Sequence, residues 1–323
     1  MSIIDKPSDY FLANLHTGNG GTQTITTGID ADWIWIKNRT SAEGSGVFDT
    51  VRGATKMLCS QNSDGESTTA NSLTAFGSDG FSVGANNRVN QNSNNIVSWN
   101  WKEQAGVFDI VSFTGNGTAR TISHSLGSVP KFMIIKDRDN VRNWGTYHVA
   151  IGPSKDAGYL NNTVVPEANN NFWNNTTPTA SVFSVGTDGT YNGNGNDYIV
   201  YLFGNSSVTK CSSYTGNGNA DGTFVYTGFK PAFVLVKRTD SANDWCLYDN
   251  KRDTYNVVQD KLQPNQTSAE SDDTSMDFVS NGFKFRETGG NFNASGGSYI
   301  YMAFAENPFV TSTGNGSIPA CAR

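Results

Sequence analysis

The tetrad Thr-Gly-Asn-Gly occurs four times along this chain of 323 residues. The copies begin at Thr17, Thr114, Thr215 and Thr313, so successive copies are 97, 101 and 98 residues apart. Four matches at nearly constant spacing are hard to obtain by chance, even from a chain with 34 glycines. A fixed period indicates an array of similar structural units. The spacing therefore predicts three units of about a hundred residues and the opening turn of a fourth.

Two apolar strands recur at fixed places between the tetrads. The first strand ends in lysine, at residues 33–37, 132–136 and 233–237, and the second is rich in aromatic residues, at 96–101, 198–203 and 299–304. The lysine-terminated strand is apolar at both parities, so neither of its faces is suited to water. We expect one face to pack in the core of its own unit. A surface loop, the next unit or another subunit covers the other face, and loop cover is the favoured alternative.

These repeats divide the chain into unit 1 (residues 1–105), unit 2 (residues 106–206), unit 3 (residues 207–309) and a C-terminal tail (residues 310–323). Charged residues make up only 16% of the chain, whereas glycine, asparagine, serine and threonine are abundant, and this balance favours turns and short strands. We expect an all-β protein of three tandem β-sandwich modules, jelly-roll-like and joined by short junctions into a rigid rod.

Local signals refine this expectation. Asn-Gly between runs of β-forming residues is typical of a hairpin turn, so residues 108–113 and 119–124 are expected to pair with each other around Asn116. Short helical turns are expected only at residues 49–58 and 253–262.

The charge and cysteine content exclude several classes of protein. The formal net charge of -6 argues against a broad phosphate-binding surface, and nucleic acid is not an expected partner. No apolar run is long enough for a signal peptide or a membrane-spanning helix. The four cysteines lack the spacing of a metal site or a disulfide scaffold, so we expect free thiols in a protein made in a reducing cytoplasm: Cys59, Cys211, Cys246 and Cys321.

No catalytic constellation is visible. The chain has three histidines, His16, His124 and His148, and none lies in a motif that activates a serine or cysteine nucleophile. The carboxylates do not recur as a set between the units, as a paired acid and base for glycoside hydrolysis would require. We expect no enzyme activity and no cofactor.

Aromatic side chains among asparagines and aspartates suit carbohydrate, because a sugar face stacks on a ring while its hydroxyls bond the neighbouring amides. Phe172 and Trp173, in a polar loop of unit 2, are the better binding candidates. Trp144 and Trp245 are further candidates, but they occupy equivalent places in units 2 and 3, and core packing is the interpretation we favour for them.

A weak candidate for a calcium site lies in unit 2. Oxygen-bearing side chains stand at alternate positions there: Asp188, Asn192, Asn194, Asn196 and Asp197. The stretch lacks the closing bidentate glutamate of a calcium loop and fits a long hairpin loop equally well. We therefore expect no bound metal.

Longer motifs accompany the tetrads, at residues 4–11, 33–39, 48–56, 78–84 and 248–252 and at the ending 299–309. Together they resemble a repeat domain of virion proteins from marine tailed phages, and the resemblance covers essentially the whole chain. It implies a structural protein of the tail-fibre, appendage or lectin-like type, to which the family brings no catalytic residues.

On this reading the protein is made in the host cytoplasm and resides in the virion, as a tail or fibre component for assembly and host-surface attachment. The expected partners are other virion proteins, copies of the chain itself in a homotrimer, and, as a further candidate, a host-surface glycan. A capsid decoration or head-fibre protein is the first alternative. A polysaccharide-degrading enzyme is the second and the less favoured one.

Overall fold

A computed structural model describes residues 6–308, and the expectation of an all-β protein is confirmed. These residues form 23 strands, two one-turn α-helices and one 3₁₀ turn. The C-terminal tail, with the fourth tetrad and Cys321, lies outside the described residues.

The elements of unit 1 are a 3₁₀ turn at Pro7–Asp9, β1 Phe11–Thr17, β2 Gln23–Thr26, β3 Trp33–Asn38, β4 Gly46–Asp49, β5 Lys56–Met57, β6 Ser67–Thr68, β7 Leu73–Gly77, β8 Gly80–Val83, α1 Asn87–Asn90 and β9 Asn95–Trp101. Those of unit 2 are β10 Phe108–Thr114, β11 Arg120–Ser123, β12 Phe132–Asp137, β13 Gly145–His148, β14 Val182–Val185, α2 Gly189–Asn192 and β15 Asp197–Phe203. Those of unit 3 are β16 Thr209–Thr215, β17 Phe224–Tyr226, β18 Phe229–Arg238, β19 Trp245–Asp249, β20 Val258–Lys261, β21 Ser271–Val279, β22 Gly282–Phe285 and β23 Ser298–Pro308.

Each unit contributes one antiparallel main sheet of four strands. The strand orders are β1-β9-β3-β4, β10-β15-β12-β13 and β16-β23-β18-β19. In every case the aromatic strand at the end of the unit pairs with both the first strand and the lysine-terminated strand. A smaller sheet packs against one face of each main sheet, in the orders β2-β8-β7, β11-β14 and β17-β22-β21-β20.

The predicted hairpin in unit 2 is wrong. Strand β10 pairs with β15 in the main sheet, whereas β11 pairs with β14 in the smaller sheet. The tetrad turn therefore carries the chain from one sheet to the other. The predicted helical turns at residues 49–58 and 253–262 are also wrong, since these segments contain turns and the short strands β5 and β20. Both helical turns, α1 and α2, instead come shortly before an aromatic strand.

A buried asparagine holds each tetrad turn in place. In unit 2, Asn192 Oδ1 accepts the Asn116 N–H at 3.1 Å, and Asn192 Nδ2 donates to the carbonyls of Thr118 at 2.7 Å and Gly186 at 2.8 Å. Asn90 and Asn293 make the corresponding bonds in units 1 and 3. An unpaired buried amide is costly, so the tetrad and this asparagine stabilise each other.

The second face of each main sheet is covered by the other two units, so the expected loop cover is wrong. Aromatic rings join every pair of units: Trp33 with Tyr201 at 4.6 Å, Trp101 with Phe233 at 5.6 Å, and Phe203 with Phe304 at 6.1 Å between ring centroids. These rings belong to one hydrophobic cluster with members from all three units, called here the central core. Unit 1 could not contact unit 3 in this way along a rod, so the three units form a closed ring.

Candidate functional site

The lysine that ends each long apolar strand closes the ring. Lys136 Nζ donates to the Ser63 carbonyl at 3.1 Å, which joins unit 2 to unit 1. Lys237 joins unit 3 to unit 2, and Lys37 joins unit 1 to unit 3, each through a bond of 3.0 Å to a backbone carbonyl. Burial lowers the pKa of all three ammonium groups to about 8. The sequence pattern identified these lysines but not their contacts with another unit.

A chain of buried charged groups crosses the junction between units 1 and 2. The Tyr201 hydroxyl and Arg52 Nε both donate to Asp49 Oδ2, at 2.7 and 2.5 Å. Arg52 Nη1 lies 3.3 Å from Glu66, and Arg138 Nε donates to the same Glu66 oxygen at 3.0 Å. The side chains of Asp49 and Arg52 are fully buried, so each requires the other.

The junction between units 3 and 1 repeats this arrangement. Trp99 Nε1 and Arg252 Nε donate to Asp249 Oδ2 at 2.9 and 2.6 Å. Glu270 then bridges Arg252, at 3.0 Å, to Arg39, at 2.9 Å. Burial alone would raise the pKa of Asp249, but the Arg252 guanidinium outweighs it and holds that pKa below its ordinary value. Both junctions are thus closed by an Arg-Glu-Arg bridge.

The junction between units 2 and 3 differs at four of these five positions. Backbone bonds identify the corresponding residues, because Thr239 N bonds the Ser298 carbonyl as Arg39 N bonds Asn95 and Arg138 N bonds Asp197. The residues that stand in the places of the charged and donor side chains are His148, Ile151, Thr239 and Met302. The ion pairs that cross unit boundaries in residues 6–308 involve the other two junctions.

A cleft of about 450 Å³ opens at this third junction, which we call the unit 2–3 cleft. Its lining residues come from the corner after β13, from β16 and from the β18 and β23 ends: Ala150, Ile151, Ser213, Tyr214, Thr215, Thr239, Ser298, Tyr299 and Ile300. Ile151 and Thr239 occupy the places where Arg252 and Arg39 stand at the junction between units 3 and 1. The cleft therefore lies where the Arg-Glu-Arg bridge lies elsewhere in the ring.

The predicted aromatic binding residues are all buried, so the expectation that Phe172 and Trp173 contact a ligand is wrong, whereas the burial of Trp144 and Trp245 agrees with the core packing that we favour for them. Phe172 and Trp173 are 2% and 1% exposed and pack against the Tyr191 ring in the core of unit 2. Trp144 and Trp245 are each 1% exposed. A ring without exposed area cannot stack on a sugar.

The two equivalent tryptophans instead join neighbouring units. Trp144 Nε1 donates to the Cys59 carbonyl of unit 1, and Trp245 Nε1 donates to the Tyr159 carbonyl of unit 2, both at 3.0 Å. Their equivalence therefore reflects a shared place at two junctions. The sequence pattern indicated core packing for these two tryptophans but not their contacts with another unit.

Four of the five calcium candidates in unit 2 are engaged in separate hydrogen bonds, and the fifth, Asn194, is exposed. Asp188 caps α2 through the Thr190 N–H at 2.8 Å, Asn192 holds the tetrad turn, and Asp197 accepts the Thr114 hydroxyl at 2.8 Å. Asn196 donates to Asp137 at 2.9 Å. Residues 6–308 contain no group of three or more His, Cys, Asp or Glu side chains suited to a metal.

The other titratable candidates have ordinary structural surroundings. His16 and His124 bond the carbonyls of Val89 and Thr179, at 3.1 and 3.2 Å, and burial lowers the pKa of both imidazoles. The described cysteines are buried free thiols: Cys59, Cys211 and Cys246.

His148 is expected to make the third junction, between units 2 and 3, sensitive to pH. Its Nε2 lies 3.3 Å from the Tyr301 carbonyl, and its Nδ1 accepts the Ala150 N–H at 3.2 Å, so the buried ring is held neutral. Burial lowers its pKa to about 4. The other side chains around it are uncharged: Phe132, Leu235, Trp245, Ile300, Tyr301 and Met302.

Because the folded protein binds this proton less readily than the unfolded chain, the stability that neutral His148 provides is present above about pH 6.5 and declines as the pH falls towards 4. We expect the wild type to lose about 3 kcal/mol more than His148→Gln between about pH 7 and about pH 4. Urea unfolding of both proteins at each pH measures this, and subtraction removes the contribution of carboxylates common to both. Equal losses would contradict the assignment to His148.

Comparing the three units residue by residue gives the sequence signal that points to the third junction. Arg39, Arg138 and Thr239 follow the same strand, and Arg52, Ile151 and Arg252 follow the same corner. Unit 2 therefore has Ile151 instead of an arginine at the corner, and unit 3 has Thr239 instead of an arginine after the strand. The ring places these two substituted positions at the same junction.

Among the described residues, no helix has the length and apolar content needed to cross a membrane. No curated protein matches this sequence. Residues 6–308 match a family described as a domain of unknown function, DUF7483. The match spans nearly the whole chain, and the protein belongs to the DUF7483 family.

Proposed function

We propose that this protein is a structural component of a phage virion, located in the tail or its fibres, that contributes to assembly and to attachment at the host surface. The observation that carries the proposal is the closed ring, in which three units of one chain share a core and are joined by buried lysines and ion pairs. Such a scaffold can hold surface residues in fixed positions. The resemblance of its motifs to virion repeat domains supports the same assignment.

We further propose that the three units are copies of one module. The main sheets have the same strand order, and the buried asparagine holds the tetrad turn in each unit. A ring of three related modules is the one-chain counterpart of a homotrimer, since each sheet finds its second cover within the chain. A homotrimer of complete chains stays a prediction, which the solution mass tests.

Electron microscopy of the phage that encodes this protein, labelled with an antibody against it, tests the location. We expect the label at the tail or its fibres. Label over the head would instead favour a capsid decoration or head-fibre protein, and particles without label would overturn a virion role.

Two assays of the purified protein test attachment and catalysis. Fluorescently labelled protein is expected to adsorb to host cells, and failure to adsorb would overturn the attachment role. Incubation with host envelope polysaccharide is expected to release no reducing sugar. Release of sugar would favour the polysaccharide-degrading enzyme that the sequence left as an alternative.

A further inference from the structure

The unit 2–3 cleft is open to solvent and has the size of a ligand site. Its volume of about 450 Å³ lies within the range of small-molecule pockets, roughly 300–1,000 Å³. Ser213, Thr215 and Ser298 of its lining are exposed, and Thr239 is partly exposed, so hydroxyl groups surround an accessible space.

The lining offers no charge to a ligand. Its nine residues include no carboxylate, lysine or arginine, and burial raises the pKa of both Tyr214 and Tyr299, so their hydroxyls are neutral at physiological pH. The nearby Arg238 guanidinium, which lies over the Tyr299 ring, is already paired with Asp240 at 2.7 Å. An ionic group that entered the cleft would lose hydration without gaining a partner.

The remaining lining is aliphatic. Ala150 of unit 2 is exposed and Ile151 is partly exposed, beside the four hydroxyl-bearing side chains, whereas Ile300 of unit 3 is buried. A pyranose ring presents C–H faces and a rim of hydroxyls, which this combination of apolar contacts and hydrogen-bonding groups matches. We propose that the unit 2–3 cleft binds a neutral sugar residue of a glycan. This inference rests on the proposed attachment function and assigns it to one place in the ring.

The same geometry supplies a variant that fills the cleft. Thr239→Arg places an arginine where Arg39 and Arg138 stand at the other two junctions, so the fold has room for it. Thr121→Arg is the matched control, because Thr121 is exposed on β11 in the smaller sheet of unit 2 and the substitution adds the same charge. Ser298→Val is a second cleft variant, which replaces one hydroxyl with two methyl groups.

Titration of ¹⁵N-labelled protein with glucose, galactose, mannose and N-acetylglucosamine, followed by NMR, tests the proposal. We expect at least one of these sugars to shift the amide signals of the cleft residues, and glucuronate to bind more weakly. Thr239→Arg is expected to weaken binding by at least about tenfold, Ser298→Val to weaken it less, and Thr121→Arg to leave it unchanged.

No shift at the cleft with any of the four sugars would overturn the proposal, as would unchanged binding by both cleft variants. Adsorption of the same proteins to host cells separates this failure from failure of the proposed function. Full adsorption of Thr239→Arg to host cells would show that the cleft is not the attachment site, although the protein still attaches. A sugar-binding cleft in a protein that does not adsorb to cells would sink the attachment role.

Discussion

Asp249→Ala is expected to lower the free energy of unfolding by about 3 to 5 kcal/mol. The Asp249 carboxylate accepts bonds from Trp99 Nε1 and Arg252 Nε, and it also accepts the backbone N–H of Lys251 and of Arg252 at 3.0 Å. Its removal leaves the fully buried Arg252 guanidinium with only the more distant Glu270 as a charged partner. Chemical denaturation of wild type and variant at neutral pH measures the loss.

Unit 2 lacks this ion pair and carries His148 and Ile151 in its place, which suggests a double-mutant cycle. Arg252→Ile in the Asp249→Ala background is expected to recover part of the lost stability, because it removes the unpaired charge, with a coupling energy of about 2 kcal/mol. Two losses that simply add would contradict the pairing. Asp240→Ala is the control, since Asp240 forms a partly exposed pair with Arg238, and it should cost less than about 1 kcal/mol.

Gly115→Ala is expected to destabilise the protein by about 3 kcal/mol or more. A Cβ atom at Gly115 would lie 2.1 Å from the Gly193 carbonyl oxygen and 2.9 Å from the Tyr198 ring. The tetrad turn would have to move away from the segment that contains Asn192 and Gly193. The hydrogen bonds of Asn192 with Asn116 and Thr118 would then lengthen. The thermal midpoint and the urea midpoint should both fall.

Gly21→Ala is the matched control for this substitution. Gly21 follows the first tetrad, its nearest neighbouring atom would be 3.7 Å from the added Cβ, and its backbone dihedral angle φ is outside the left-handed region. We expect a change within about 0.5 kcal/mol. Similar losses of stability from Gly115→Ala and Gly21→Ala would mean that close packing does not explain why the tetrad has a glycine directly after its threonine.

The sequence predicted the strands well and their partners poorly. The lysine-terminated and aromatic strands are present as β3, β12, β18 and β9, β15, β23, because apolar β-forming runs carry a local signal. The Asn-Gly hairpin predicted in unit 2 was wrong because Asn192, 76 residues downstream of Asn116, holds the turn between the two sheets. Distant partners of this kind leave no local trace.

The candidate site shows the same limit more strongly. Aromatic rings in a polar loop predicted an exposed platform, yet other residues of the chain bury Phe172 and Trp173. The cleft lies between a corner of unit 2 and a strand end of unit 3, so no single stretch of sequence contains it. Ser213 and Thr239 belong to residue types that are common on any protein surface. Thr239 becomes notable only when the units are compared, because Arg39 and Arg138 occupy its place at the other two junctions.

Encoding all three units in one chain has a consequence for valency. In a ring of three identical chains every junction would be the same, and a site at one junction would occur three times. Here Ile151 and Thr239 meet at one junction, so residues 6–308 of each ring offer a single cleft of this kind. The number of such clefts on a particle then depends on how many copies of the chain are assembled, and multivalent binding requires neighbouring rings to face the same way.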